Sequence, residues 1–185
     1  CKFIIWAFCC KESVKGNFPD NECFVIMANH VSFLDVFAIP SALKGKFSAV
    51  AASMNFKIPI YSSFLKKLRI VSINRSNKEQ SIAGIHQAEK VLNDGYHIVI
   101  LPEGTRTVTG ELSPFKKGGF HLAKNTHSRI LPIITEGLFK IKPKNRWSIK
   151  PNEIIINIGQ PIETKNKNIN TLLEETEKYF INFKN

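Results

Sequence analysis

The stretch CFVIMANHVSFLD, residues 23–35, decides the fold class of this chain. It begins with an unbroken apolar run over residues 23–28, and such a run predicts a strand buried on both faces, as in the sheet of an α/β protein. The polar residues Asn29 and His30 end the run, and residues 33–43 after them are predicted to form a helix. A buried strand followed directly by a helix is the building unit of an α/β domain.

The same alternation continues through the rest of the chain. Further apolar runs predict strands at residues 47–52, 70–73, 97–101, 130–135 and 154–158. Apolar residues at helical spacing predict helices after Pro59 and over residues 78–93, 117–125 and 169–180. No repeat or low-complexity linker interrupts this order, and residues 143–151 are predicted to be a basic, irregular loop. The sequence therefore predicts one α/β domain.

The composition is that of a globular protein with a basic surface. The chain has 185 residues, 43% of them hydrophobic and 22% charged, and a formal charge of +11. Such a charge attracts nucleic acid, anionic lipid or an anionic substrate, or it reflects only solvated lysines. The chain has no aromatic RNA-binding signature, zinc-finger spacing or long basic run, which disfavours nucleic acid as the partner.

The N-terminal region contains all four cysteines and leaves two interpretations open. The chain begins with Cys1 and not with Met, so we expect that an N-terminal piece is missing. Cys1, Cys9, Cys10 and Cys23 lack CxxC spacing, which predicts no metal site and favours a reduced, cytosolic setting. The short apolar stretch at residues 3–8 is either the tail of a membrane helix or a segment that docks on the core.

Several common catalytic motifs are absent from the sequence. It has no GxSxG elbow, Walker A loop, GxGxxG fingerprint or HExxH pair. Serine hydrolases with that elbow, P-loop enzymes and common zinc proteases are therefore disfavoured.

The polar end of the first strand carries the first candidate catalytic pair. Asp35 follows His30 by five residues, and in a continuous helix two such side chains point apart. They meet if His30 lies in the strand-to-helix turn, Ser32 caps the helix, and Asp35 occupies the third helical position, as in a capping box. A carboxylate there orients an imidazole and stabilises its protonated form. The alternative is that Asp35 only caps the helix and His30 is an ordinary loop residue.

A second group of candidate residues follows the strand predicted at residues 97–101. Functional sites of open α/β sheets collect where parallel strands end, and Glu103 and Arg106 lie at such an end. Arg106 carries a planar donor fork suited to a phosphate or carboxylate, and Gly104 allows close approach of the backbone. The alternative is a strand-ending turn with a surface ion pair.

Two further basic segments are candidates for anion binding. Arg75 follows another predicted strand end and either binds phosphate or is solvated. Lys116 belongs to the segment FKKGGF, residues 115–120, where lysines and glycines precede a predicted helix. A helix N-terminus favours an anion, although an exposed turn accounts for the same residues.

Taken in order, these segments resemble the glycerolipid acyltransferases of the lysophosphatidic acid acyltransferase type. That family has four sequence blocks, which correspond here to the NHxxxxD pattern at residues 29–35, the arginine Arg75, the PEGTR pattern at residues 102–106, and the proline Pro132 between aliphatic residues. The resemblance covers roughly residues 14–163. Residues 53–55 depart from it, because many bacterial members have lysines and an acidic residue at that point.

The resemblance implies a fold, a reaction and a set of site residues. The fold is a single α/β domain with a mixed, largely parallel central sheet flanked by helices, as in glycerol-3-phosphate acyltransferase. Residues 14–185 form the acyltransferase domain, and residues 1–13 are the remnant of a membrane-docking segment. His30 is the general base, oriented by Asp35. The substrate-binding residues are Arg75, Glu103, Gly104, Thr105, Arg106 and Lys116, with Glu103 orienting Arg106 or a glycerol hydroxyl.

The implied reaction forms phosphatidic acid for phospholipid synthesis. A fatty acyl group passes from acyl-CoA or acyl carrier protein to the free hydroxyl of 1-acylglycerol-3-phosphate, without a metal or organic cofactor and without nucleic acid as a partner. We expect this reaction at an anionic membrane surface, on the cytoplasmic face. The alternatives are another lysolipid acceptor, a metal-dependent hydrolase that uses His30, Asp35 and Glu103 as ligands, or a non-catalytic module that binds anionic lipid.

Overall fold

A seven-stranded sheet with helices on both faces forms the molecule. The structure, a computed structural model, describes residues 2–74 and 76–184. Its strands are β1 (Lys11–Lys15), β2 (Val25–Ala28), β3 (Phe47–Ala52), β4 (Val71–Ile73), β5 (His97–Ile100), β6 (Ile130–Glu136) and β7 (Glu153–Ile158). Its helices are α1 (Lys2–Ala7), α2 (Asp35–Ser41), α3 (Pro59–Lys67), α4 (Lys78–Asn93), α5 (Gly118–Asn125), α6 (Leu138–Ile141) and α7 (Ile169–Lys184), with a 3₁₀ helix over Ser53–Lys57.

The strand order places β2 at the centre of the sheet. The order is β1-β7-β6-β2-β5-β3-β4, and β2 to β6 all run parallel to one another. Strand β7 runs antiparallel to β6, and β1 runs parallel to β7. The five parallel strands therefore end at one edge of the sheet, which we call the carboxyl edge. The predicted α/β fold with a mixed, largely parallel sheet is confirmed.

The two faces of the sheet bury two separate layers of side chains. Along β2, Ile26 and Ala28 pack with residues of α1, α2 and α6, whereas Val25 and Met27 pack with residues of α4, α5 and α7. All four side chains are fully buried. This two-sided burial explains the continuous apolar run that predicted the strand.

The six predicted strands are present, and β1 is an addition. Its sequence, KESVK, is charged and mostly exposed, so it lacks the apolar run by which the other strands were identified. Pairing with β7 at the edge of the sheet stabilises it, and one face of an edge strand tolerates charge. The domain boundary predicted between residues 13 and 14 falls inside β1, so the sheet begins before that boundary.

The helices differ from the prediction at both ends, since α2 stops at Ser41 and not at residue 43, and α7 continues to Lys184 and not to residue 180. Helix α2 begins at Asp35, two residues after the predicted start, and the short helix α6 was not predicted. Within the described residues, no helix combines the length and the apolar character that crossing a bilayer requires.

A buried histidine joins β5 to the segment before β2. The Nδ1 atom of His97 accepts a hydrogen bond from the Phe24 amide at 3.1 Å, and its ring stacks on the Phe24 ring with centroids 5.9 Å apart. Burial lowers the pKa of His97 below its ordinary value, although a hydrogen bond to the Lys44 backbone acts in the opposite direction. The folded protein therefore holds this ring neutral.

We expect the stability of the fold to fall in mild acid because of His97. In the unfolded chain the His97 imidazole binds a proton below its ordinary pKa of about 6.5. In the folded protein it binds that proton only at lower pH, so the free energy of unfolding decreases as pH falls. The change His97→Asn retains an acceptor for the Phe24 amide but does not titrate. Its thermal midpoint should depend less on pH between 8 and 5 than that of the wild type. The exposed His121→Asn is the control, and equal pH slopes for His97→Asn and wild type would contradict the assignment.

Candidate active site

The candidate site lies at the carboxyl edge, where β2 and β5 end side by side. Met27 pairs with Ile100 in the sheet, so the segments that follow the two strands leave the edge together. The first segment contains His30 and the second contains Glu103 and Arg106. Parallel pairing of neighbouring strands thus brings together residues that are about 70 positions apart in the sequence.

His30 and Asp35 form the contact that the sequence analysis expected. The His30 Nδ1 and Asp35 Oδ2 atoms are 2.8 Å apart. The same Oδ2 accepts hydrogen bonds from the Val31 amide at 2.9 Å and the Ser32 amide at 3.0 Å. The turn therefore wraps its own backbone around one carboxylate oxygen, and the imidazole is the third donor.

The predicted cap of helix α2 is wrong in detail. Ser32 does not cap the helix and Asp35 is not its third residue, because the helix begins at Asp35 itself and Leu34 is the N-cap. Ser32 instead accepts a hydrogen bond from the Leu34 amide through Oγ and donates one to the Lys142 carbonyl. Since the carboxylate binds backbone amides that precede the helix, five residues of separation suffice for it to reach the imidazole.

The hydrogen bonds at Asp35 determine which nitrogen of His30 carries the proton. An ionised carboxylate only accepts, so Nδ1 is the donor and Nε2 presents its lone pair. Burial raises the pKa of the Asp35 carboxyl, and the hydrogen bonds from His30, Ser32 and Val31 oppose this rise. The Asp35 side chain is fully buried, whereas 19% of the His30 side chain is exposed. The pair therefore presents a basic nitrogen at a surface that solvent reaches.

Asn29 fixes the turn to the neighbouring strand β6, a role that the sequence analysis missed. Its Oδ1 accepts from the Thr135 amide at 2.8 Å and from the Thr135 hydroxyl at 3.1 Å, and its Nδ2 donates to the Thr135 carbonyl at 2.9 Å. Asn29 is 2% exposed. An amide side chain at the end of a buried strand signals such a contact, because a buried polar group requires partners.

Glu103 ties the His30 turn to the segment after β5. Its Oε1 accepts from the His30 amide at 2.7 Å, and its Oε2 accepts from the Ser113 amide at 2.9 Å. The Thr107 amide in turn donates to the His30 carbonyl at 2.9 Å. Glu103 is buried, with 3% of its surface exposed. These bonds hold the backbone of His30 in place. The sequence analysis placed Glu103 among the substrate-binding residues, and that role stays a prediction.

The other predicted substrate-binding residues that the structure describes lie near this turn and are partly or fully exposed. Gly104 has a φ of +81°, which favours glycine, and its amide donates to the Leu101 carbonyl. Thr105 is exposed, and Arg106 is partly exposed. Among the described residues, none forms a hydrogen bond or ion pair with the Arg106 guanidinium. Lys116 is exposed, and its amide donates to the Pro102 carbonyl at 2.8 Å.

One predicted site residue, Arg75, lies outside the described residues, so its assignment stays a prediction. Across residues 2–74 and 76–184, no three histidine, cysteine, aspartate or glutamate side chains are grouped in a way that would hold a metal ion.

A family model described as Acyltransferase matches residues 11–136. The chain belongs to this acyltransferase family. The match includes His30, Asp35 and the segment around Arg106, and it begins at the first residue of β1. The family predicted from the motif order is thereby confirmed.

Curated relatives are similar to this chain along most of its length. A 1-acyl-sn-glycerol-3-phosphate acyltransferase from Cocos nucifera is 28% identical over 164 residues, which is 88% of this chain and 53% of that protein. One from Borreliella burgdorferi is 31% identical over 134 residues, or 71% of this chain and 54% of that protein. The chain spans about half the length of the curated relatives it matches.

A solved structure shares the fold of this chain. The crystal structure of the 1-acyl-sn-glycerophosphate acyltransferase PlsC from Thermotoga maritima superposes with a TM-score of 0.85 at 25% identity. The similarity covers 96% of this chain and 72% of the other. The sheet order and the helices around it are therefore those of an acyltransferase fold.

Proposed function

We propose that this protein transfers a fatty acyl group from a thioester donor to the free hydroxyl of 1-acylglycerol-3-phosphate, which gives phosphatidic acid. The observation that carries the proposal is the 2.8 Å contact between His30 Nδ1 and Asp35 Oδ2, which leaves Nε2 as a base at the carboxyl edge. The names of the relatives support this acceptor. The donor is acyl-CoA or acyl carrier protein.

The reaction proceeds by direct attack of the acceptor on the thioester. Nε2 of His30 takes the proton of the acceptor hydroxyl while its oxygen bonds to the thioester carbonyl carbon, which forms a tetrahedral oxyanion. Asp35 stabilises the imidazolium through Nδ1. Collapse of the intermediate breaks the carbon–sulfur bond, and the imidazolium returns the proton to the departing thiolate. The acceptor is itself the nucleophile, so no acyl-enzyme forms.

We propose that basic side chains around the site bind the phosphate of the acceptor. Arg106 is partly exposed near the His30 turn, and no described residue pairs with its guanidinium, so it is available to an anion. Lys116 precedes α5 and adds a second exposed cation. Arg75 is expected to be a third. A guanidinium that binds two phosphate oxygens supplies both affinity and orientation.

Loss of Arg106 should therefore selectively impair phosphate-bearing acceptors. We expect Arg106→Ala to lower kcat/KM for lysophosphatidic acid by about 10–100-fold, the effect of a lost hydrogen-bonded charge. Turnover of a monoacylglycerol, which lacks the phosphate, should change little. The matched control is Arg69→Ala, because Arg69 is exposed and pairs with Asp94. Equal losses on both acceptors would argue against a phosphate role.

An acceptor screen that follows free thiol release tests the proposed reaction. One acyl-CoA or acyl carrier protein donor is combined in turn with lysophosphatidic acid, other lysophospholipids, monoacylglycerol and water. Release that depends on lysophosphatidic acid, with phosphatidic acid as the product, is the expected result. Release with another lysolipid would change the acceptor, and hydrolysis by water alone would replace the transferase with a hydrolase. No release at all would favour a lipid-binding module without catalysis.

We expect the same activity in the presence of a metal chelator, since the proposed mechanism uses only His30, Asp35 and the substrates. No organic cofactor is required beyond the acyl carrier. Activity that disappears with chelation and returns with a metal ion would overturn this expectation and restore the metal-dependent alternative.

We propose that the protein works at a membrane surface, on the cytoplasmic face. Helix α3 exposes Ile60 (89%) and Phe64 (53%) and carries the exposed Lys66 and Lys67 at its end. The apolar side chains of α3 face two ways, because Leu65 of the same helix is buried in the core. An apolar surface beside cations suits an anionic bilayer, where the proposed acceptor and product reside.

A further inference from the structure

The connection between β6 and β7 forms a basic loop at the same edge as the candidate site. Strand β6 runs parallel to β2 and ends at the carboxyl edge, and β7 returns from that edge. Helix α6 and residues 142–152, which we call the tryptophan loop, lie between them. The Ser32 hydroxyl donates to the Lys142 carbonyl at 2.8 Å, so the tryptophan loop begins in contact with the turn that carries His30.

Hydrogen bonds to carbonyls of the loop and of helix α6 give the tryptophan loop a defined shape. The Arg146 guanidinium donates to the Lys140 and Ile141 carbonyls at 2.6 Å and to the Ser148 carbonyl at 3.1 Å. The Lys142 ammonium donates to the Arg146 carbonyl, and the Lys150 amide donates to the Ile141 carbonyl. Two basic side chains are thus used to order the backbone.

Trp147 at the tip of this ordered loop packs against almost nothing. The residue is 96% exposed, the highest value among the large hydrophobic residues in the described part of the chain. The Lys142 ammonium lies 5.9 Å from the centre of its ring. An indole is a large apolar surface with one polar N–H group, and water is a poor environment for most of it. The loop therefore presents its largest apolar side chain outward.

All charged side chains of the tryptophan loop are basic. Residues 142–152 contain Lys142, Lys144, Arg146 and Lys150 and no aspartate or glutamate. Lys144 and Lys150 are exposed, and no acidic side chain pairs with either one in the described structure. Tryptophan and lysine together are typical of segments that lie in the interfacial region of a membrane, with the indole at the headgroup level and the cations on anionic lipid.

We infer that the tryptophan loop docks the protein on an anionic bilayer, with Trp147 inserted at the headgroup level beside the candidate site. The inference rests on the proposed function for the source of the acceptor, since it places His30 next to the surface where a lysophospholipid resides. Phosphate groups of nucleic acid are the other polyanion that cations bind, but the outward indole favours a lipid surface.

Trp147 can report on this docking by its own fluorescence. The chain contains two tryptophans, so Trp6→Phe leaves Trp147 as the only one. The Trp6→Phe protein is titrated with vesicles of phosphatidylglycerol and phosphatidylcholine in equal parts. We expect a blue shift of the emission, and quenching by lipids brominated near the glycerol end of the acyl chain. Emission that stays at the wavelength of a solvated indole while the protein is bound to vesicles overturns the inference.

Substitutions in the loop should weaken vesicle binding. Trp147→Ala should lower vesicle affinity by about tenfold, which corresponds to loss of roughly half the burial of an aromatic side chain. The double change Lys144→Glu and Lys150→Glu should lower it by about 30-fold or more, because each cation near an anionic surface contributes about fivefold. Added salt should weaken binding of the wild type but reduce the affinity of the double variant less.

A matched double variant separates the loop from the net charge of the protein. Lys15 ends β1 and Lys165 follows β7, so both exposed side chains lie at the edge opposite the tryptophan loop. Lys15→Glu with Lys165→Glu changes the charge equally and should retain most of the binding. Equal loss in the two double variants overturns the inference, as does salt-sensitive binding to RNA without binding to vesicles.

Turnover on a dissolved acceptor keeps this test separate from the proposed function. Trp147→Ala should acylate short-chain lysophosphatidic acid, dissolved as monomers, as fast as the wild type, and should lose activity only on vesicles. Loss on both acceptors to the same extent would mean that Trp147 serves the reaction itself and would overturn the docking role. A wild type that inserts Trp147 but transfers no acyl group would instead refute the proposed function and leave the docking intact.

Discussion

Replacement of His30 by alanine is expected to lower kcat for acyl transfer by about 10²–10⁴-fold, the range that a positioned general base contributes. The acceptor hydroxyl keeps its proton at neutral pH, and without Nε2 nothing at this position removes it during attack. The KM for lysophosphatidic acid should change little, since we assign phosphate binding to Arg106 and its neighbours. Thiol release at saturating acceptor measures the effect.

The fold should survive this change. The His30 side chain is 19% exposed, and its loss leaves Asp35 with the Val31 and Ser32 amides as donors. The matched control is His86→Ala, because the His86 side chain is 61% exposed and also contacts a carboxylate. His86→Ala should have wild-type turnover. A His30→Ala protein with wild-type turnover and a normal thermal midpoint would remove His30 from the mechanism.

Replacement of Asp35 by asparagine should separate its catalytic role from its structural one. The asparagine oxygen still accepts from the Val31 and Ser32 amides, so the turn before α2 is retained. The negative charge that stabilises the His30 imidazolium is lost, and the preferred tautomer of the ring is no longer enforced. We expect kcat to fall by about 10²–10⁴-fold, the range that a positioned general base contributes, with a smaller loss of thermal midpoint than Asp35→Ala causes.

Alanine at the same position should lower the stability of the fold more than asparagine does. Asp35→Ala leaves two buried amides without an acceptor, which costs about 1–3 kcal/mol for each. The exposed Asp94→Asn is the control for loss of a negative charge. If Asp35→Asn retained wild-type kcat, Asp35 would be a structural residue only and His30 would act without an orienting carboxylate.

The sheet was predictable because its strands are buried on both faces. Strands such as β2 and β5 consist of apolar residues without alternation, and in a short segment that pattern is typical of a strand in the interior of a sheet. Strand β1 was not predictable in this way, because an edge strand with one exposed face can be as charged as a loop. Its place in the sheet depends on pairing with β7, which lies more than 130 residues later.

The sequence predicted the residues of the candidate site, but it did not predict the hydrogen bonds that hold them in place. The side chains of His30 and Asp35 are close in sequence, so one turn suffices to bring them together. Asn29 and Glu103 bind partners that lie 106 and 73 residues away, and only the strand order makes these contacts possible. Glu103 was identified by its motif, but its bonds to backbone amides require the folded arrangement.

The hydrogen bonds of Asn29 and Glu103 also distinguish residues that tolerate substitution from residues that do not. Asn29 bonds the His30 turn to β6, and Glu103 bonds it to the segment after β5. A substitution of either residue should therefore disturb the reaction for every substrate alike. Thr105 and Trp147 are exposed near the same edge, and Arg106 is partly exposed. Altering the segment that carries Thr105 and Arg106 should change which lipid is accepted while the bonds that hold His30 stay intact, which makes this segment the place to begin if the protein is to be redesigned for another acceptor.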